Sequence, residues 1–201
     1  MNTVTHKHRD DIREHILATG QRIMASKGFS AVGLNEILTE AGVPKGSFYH
    51  YFSSKDAFGA AMLESYFAEY LADLDKTMSQ PDRTMAQRLM NYWQQWQDTQ
   101  SFQECQGKCL AVKLGAEVAD LSESMRLALR KGTSEIVARL AEAIEIGAEE
   151  GSLQINDKPD RVAESLYQLW LGASVMVKIA RNKQPFESAM RLTQQSLNIA
   201  S

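Results

Sequence analysis

Apolar residues recur at helical spacing along almost the whole of this chain. Ile12, Ile16, Ile23 and Met24 keep near-helical intervals and Gly28 follows as a stop, which predicts a helix over residues 10–27. Leu34, Ile37, Leu38 and Ala41 fit two turns closed by Gly42, and Pro44 suits the first turn of a third helix over 44–52. Two short helices separated by a tight turn containing glycine form the outline of a helix-turn-helix. A longer stripe (Phe58, Met62, Tyr66, Tyr70, Leu74) fills 55–78 and ends at the polar SQPDR. Further helices are predicted over 84–100, 109–119, 122–150 with Ser122 as N-cap and Gly151 as stop, 159–183, and from Pro185 onward, with SFQECQGK as a connector. The 159–183 segment is apolar on more than one face (Val162, Leu166, Trp170, Val175, Ile179), so it is expected to be buried on two sides, within one subunit or against a second. No strand-like alternation appears, and the fold class is all-α.

The 201 residues and their 44% hydrophobic content suffice for a sizeable core. A charged N-terminus and the lack of any long apolar run give no sign of a signal peptide or membrane span, so a cytoplasmic protein is expected. Net charge is −3, but it is uneven: residues 1–58 hold seven bases against six acids and all four histidines, leaving fifteen bases and nineteen acids beyond. This asymmetry permits nucleic-acid binding without demonstrating it.

The stretch AGVPKGSFYHYFSSKDAF (41–58) is the most informative. On a helix over 44–52, Phe48 and Phe52 share one face, leaving Lys45, Ser47, Tyr49, His50 and Tyr51 for the rest. Reading a major groove needs small residues near the helix N-terminus, here Gly46 and Ser47, and donors for phosphates, here Tyr49, His50, Tyr51 and Lys55. The alternative is a short core helix whose tyrosines only pack.

GLNEILTEAGVPKGSFYHYFSSKDAF resembles the helix-turn-helix of the TetR family of bacterial transcriptional repressors, matching its AGV, KG, YxYF and KD positions. The resemblance implies an N-terminal three-helix DNA-binding domain over 1–56 and a helical regulatory and dimerisation domain over 57–201. It further implies that Lys45 and Gly46 meet base edges, that Ser47, Tyr49, His50, Tyr51 and Lys55 contact the backbone, and that a homodimer forms through the last two long helices on a palindromic operator in double-stranded DNA. Many members carry Ser or Thr where this chain has Gly33, so the cap of the second helix is expected to be weak, with Asn35 as the substitute phosphate ligand.

CQGKCLAVKLGAEVADLSESMR (105–126) offers a second chemistry. Cys109 at the start of a helix, with Lys108 and Lys113 nearby, has features that favour thiolate over thiol, although a small buried hydrophobe is the plainer role. Together with LYQLWLGASVMVKIAR (166–181), the stretch resembles the electrophile-responsive NemR-type members of that family. This implies Cys109 as sensor, with detoxification genes as the regulated class. Cys105 is a candidate resolving thiol, and Lys178 is either a charged neighbour or a snorkelling lysine. The rival mode is a hydrophobic inducer held non-covalently among Trp93, Trp96, Phe102, Tyr167, Trp170 and Met176, rings that serve equally well as core. Cys-x3-Cys is too little for a zinc site, and no metal or cofactor is expected. A cysteine-dependent helical enzyme would need a general base, and no histidine follows His50. A helical adaptor that binds only protein would leave the donors of the third helix unused.

Overall fold

The computed structural model describes residues 3–99 and 109–199, with side chains from residue 11 onward. Among the described residues the regular elements are α-helices: α1 (Thr3–Lys27), α2 (Leu34–Ala41), α3 (Lys45–Tyr51), α4 (Lys55–Met78), α5 (Met85–Thr99), α6 (Leu110–Leu121), α7 (Glu123–Glu149), α8 (Pro159–Ala180) and α9 (Gln184–Ser196). None is long and apolar enough to cross a membrane. α1 starts before the stripe that begins at Ile12, because TVTHKHR contains no glycine or proline to stop a formed helix from extending through it.

Helix ends follow local chemistry. Gly28 takes φ +90° while its N–H bonds the Met24 carbonyl, and Gly42 takes φ +64° after α2; both are left-handed closures open to glycine. Gly33 leaves α2 without a side-chain cap, as its lack of a hydroxyl predicts. α4 is capped by Ser54, whose Oγ accepts the Ala57 N–H at 3.0 Å. Thr84 and Gln87 form a reciprocal capping box at the start of α5. The next two amides of α5, at Met85 and Ala86, donate to the Glu150 carboxylate and to Ser152 Oγ, an anion placed at the positive end of the helix.

The chain divides into two compact units, Met1–Ala68 with Cys109–Gly132, and Glu69–Lys108 with Thr133–Ser201, so that the division falls within α4 and α7. In the first unit Phe48, Phe52 and Phe58 form a triangle of rings with centroids 5.1–5.5 Å apart. Gly20 admits the tip of Phe58, since a Cβ there would stand 2.3 Å from its Cζ. α6 adds Leu110, Leu114 and Val118, all fully buried and spaced four residues apart.

The core of the second unit is aromatic. Trp93 stacks on Trp170 at 5.0 Å and Trp170 on Phe186 at 5.7 Å. Trp96 Nε1 donates to Ser174 Oγ and Trp170 Nε1 to Thr193 Oγ1, both at 2.9 Å; these buried hydroxyls in turn donate to the carbonyls of Trp170 and Ala189. α8 packs along α9. Within the protomer α8 is buried on one side only, and Val175, Met176 and Ile179 are 44%, 48% and 69% exposed.

Candidate functional site

α3 separates its residues by face as the i, i+4 spacing requires. Phe48 and Phe52 turn into the ring triangle and are buried, whereas Lys45, Gly46, Tyr49 and His50 are exposed and Ser47 and Tyr51 half-buried. Tyr49 is the most exposed aromatic of the helix, at 52%. Among the described residues, the side chains of Lys45, Tyr49 and His50 make no hydrogen bond or ion pair. The outer surface of α3 therefore carries a cation, a hydroxyl and an imidazole with donors to spare, beside a glycine. A Cβ on Gly46 would meet nothing within 4 Å, so the protein itself does not require glycine there. Asn35 is exposed on α2.

The support beneath this face is specific. His15 Nε2 lies 3.1 Å from the Ala41 carbonyl, Arg13 stands over the Phe52 ring at 5.5 Å, and Arg22 and Lys27 of α1 pair with Glu40 and Glu36 of α2. The two ion pairs are exposed, join α1 to α2, and each contributes on the order of 0.5 kcal/mol, less than the burial of Phe48 and Phe52 beneath α3.

Lys55 opens α4. Its ammonium donates to the Phe29 carbonyl at 2.8 Å and lies 4.3 Å from the centre of the Phe29 ring, which uses one of its three donors. Partial burial lowers its pKa, against the opposing pull of Asp56 and Glu117. The same turn is held from α6. Glu117 Oε2 accepts the Phe29 N–H at 3.1 Å and Oε1 the Ser30 N–H at 2.7 Å. Desolvation acts to raise the Glu117 pKa, but hydrogen bonds from Ser30 and Phe29 and the charge of Lys113 outweigh it and leave the carboxyl below its ordinary value. Sequence reasoning missed Glu117. Its one signal is an acid three residues after Leu114 on the buried stripe of α6; its partners are backbone amides 87 and 88 residues away, which no side-chain pattern marks.

Cys109 is the N-cap of α6, in extended geometry (φ −100°, ψ 99°) rather than within the first helical turn, and is only 3% exposed. Its carbonyl accepts the Lys113 N–H. Cys105 and Phe102 lie outside the described residues. Lys178 is half-buried in the last turn of α8, in the second unit. Of the rings named as an inducer pocket, Trp93, Trp96, Tyr167 and Trp170 touch one another, while Met176 lies on the exposed side of α8. Trp93 Nε1 is buried with no hydrogen-bond partner among the described residues. An open pocket of about 320 Å³ is lined by Thr133, Ser134, Val137, Glu164, Gln168, Leu171 and Tyr167, the last shared with the ring cluster.

Two family models match the chain: "bacterial regulatory proteins, tetR family" over residues 16–62, and "tetracyclin repressor-like, C-terminal domain" over residues 86–193. The HTH-type transcriptional repressor NemR of Escherichia coli K12 is 45% identical over 92% of this chain and 93% of its own length. The HTH-type transcriptional repressor DhaR of a Mycobacterium species (strain GP1) is 30% identical over 94% of this chain and 93% of its own. The crystal structure of E. coli NemR in its reduced form superimposes with a TM-score of 0.88 at 44% identity, covering 95% of this chain and 97% of that one.

Proposed function

Because this chain belongs to the TetR family of bacterial regulatory proteins, whose members bind DNA operators and act as dimers, we propose that it represses transcription from a palindromic operator and is released when Cys109 reacts with an electrophile or oxidant. It is a DNA-binding regulator and not an enzyme. Residues 1–56 read DNA and 57–201 sense and dimerise.

The carrying observation is the outer face of α3: apolar rings point inward, Lys45, Tyr49 and His50 stand exposed with their side-chain donors unused, and Gly46 is exposed beside them. Lys45 and Gly46 take the base edges; Ser47, Tyr49, His50, Tyr51, Lys55 and Asn35 take phosphates. Two protomers pair through α8 and α9, because exposed Val175, Met176 and Ile179 of α8, with Leu192 of α9 at 48% exposure, are apolar surface that a second copy would cover. Cys109 as sensor is supported by its place at the amide end of α6, where a developing thiolate is stabilised, and its burial restricts the reagent to small electrophiles. Cys105 is a candidate resolving thiol, and Lys178 a further candidate for the chemistry of sensing.

A non-covalent inducer remains the second reading, favoured by one observation: buried Trp93 Nε1 would gain a bond from a ligand acceptor.

Fluorescence anisotropy with fragments upstream of the protein's own gene tests the reading. Specific binding that weakens steeply with salt, and is reversed by N-ethylmaleimide in the wild type only and not in Cys109→Ser, is the expected result. Absence of specific binding at low salt removes the repressor, and equal release of both proteins removes the cysteine.

A further inference from the structure

The turn after α1 is held by two charged side chains brought from distant parts of the chain. Once Gly28 has closed α1, the N–H groups of Phe29 and Ser30 have no helical acceptor, and ordinarily would bond to water. Instead a single carboxylate, Glu117 of α6, takes both. Room for it comes from Gly28, where a Cβ would lie 3.0 Å from Glu117 Oε2. From the other direction Lys55 of α4 holds the Phe29 carbonyl and covers the ring, itself only 5% exposed. Gly28, Phe29 and Ser30 are thus fixed by donor and acceptor together, a few residues before α2.

We infer that Glu117 is a positioning residue for DNA binding: through the Phe29 and Ser30 amides it sets where α2 and α3 stand, and it is the point at which a displacement of α6 is felt by the DNA-reading helices. In its second clause the inference rests on the repressor reading with Cys109 as trigger. Cys109 and Glu117 are eight residues apart on α6, about 12 Å along the axis, so a change at the N-cap reaches the carboxylate through one rigid element. Little movement is needed. The Phe29 bond is already 3.1 Å long, and a further shift of about 0.5–1 Å takes it out of hydrogen-bonding range. A purely stabilising acceptor could come from α1 or α2 themselves; this one comes from the helix that begins with the cysteine.

The test compares the full-length wild type with Glu117→Gln and Glu117→Asp, the first removing the charge and the second drawing it back by one methylene. Operator affinity by anisotropy and amide exchange of the peptide spanning residues 28–33 are read before and after N-ethylmaleimide. Glu117→Gln is expected to raise the operator Kd at least about tenfold (about 1.4 kcal/mol) with an unchanged salt slope, since no phosphate contact is lost. Exchange at Phe29 and Ser30 should accelerate selectively while the rest of α1 and α4 stays protected, a pattern that general destabilisation would not give. Should Glu117→Gln fold poorly, Glu117→Asp decides, with an expected rise of about threefold or more. In the wild type, the reagent should speed exchange at the same two amides as DNA is released. Wild-type affinity and exchange in a folded Glu117→Gln or Glu117→Asp protein would overturn the inference, as would release of the wild type with Phe29 and Ser30 still protected. A wild type indifferent to the reagent would sink the cysteine trigger and the relay from α6, while the affinity of Glu117→Gln would still decide the positioning role.

Discussion

Gly46→Ala separates what the fold asks of α3 from what DNA asks of it. The added methyl would meet no protein atom within 4 Å, and Gly46 has no positive φ, so the native backbone accepts alanine without strain. In a helix interior, replacing glycine by alanine stabilises by about 0.5–1 kcal/mol. Residue 46 lies in the first turn of a seven-residue helix, so the low end applies, roughly 0.5 kcal/mol, or a rise in Tm of about 1–2 °C for a chain of this size. Against DNA the sign reverses. Under the proposed reading, a methyl at residue 46 would either overlap a base edge or lift α3 from the groove, weakening the contacts proposed for Lys45 and Tyr49 together. Loss of one good base contact, about 1–3 kcal/mol, sets the scale at a tenfold or greater rise in operator Kd. Differential scanning calorimetry and anisotropy on one preparation would read both quantities. A Gly46→Ala protein that is more stable and binds its operator as tightly as wild type would refute the assignment of α3 as the groove-reading element.

Cys109→Ser should keep operator affinity within about twofold while abolishing release by small electrophiles; mass spectrometry after N-ethylmaleimide should show one fewer modified residue. Gly132→Ala would put a Cβ 2.1 Å from the buried Phe67 ring, an overpacking that costs about 1–3 kcal/mol, and thermal unfolding should start about 2–12 °C lower. Because Glu117 has a folded pKa below its ordinary 4.5, its contribution is present in full above that value and lost as pH falls through the lower folded pKa. The stability gap between wild type and Glu117→Gln in denaturant titrations should therefore be widest at neutral pH and narrow below about pH 4.5; a gap that widens on acidification would contradict the clamp.

How much of this was legible in the sequence depended on the kind of signal. Gly28, Gly42 and Pro44 set the ends of α1, α2 and α3 through backbone geometry that any reader of the chain can use. Phe48 and Phe52 declared the inner face of α3, and the structure buries both. Ser122 was expected to cap α7, and its Oγ does approach the Met125 N–H, but at 3.5 Å, because its backbone also closes α6 on Val118. For α8, periodicity counted apolar residues without telling which side faces the protomer's own core, so Met176 was grouped with rings from which it points away. Glu117 and the Glu150 cap of α5 were illegible for one reason: their partners are backbone amides, identical at every position of a sequence.

All three tryptophans of the chain belong to one ring cluster in the second unit, while the first unit absorbs through tyrosine and phenylalanine alone. Light at 295 nm thus labels half of the molecule without any dye. Emission follows the melting of that half, circular dichroism follows both, and any lag between the two curves would mean that the halves come apart in separate steps.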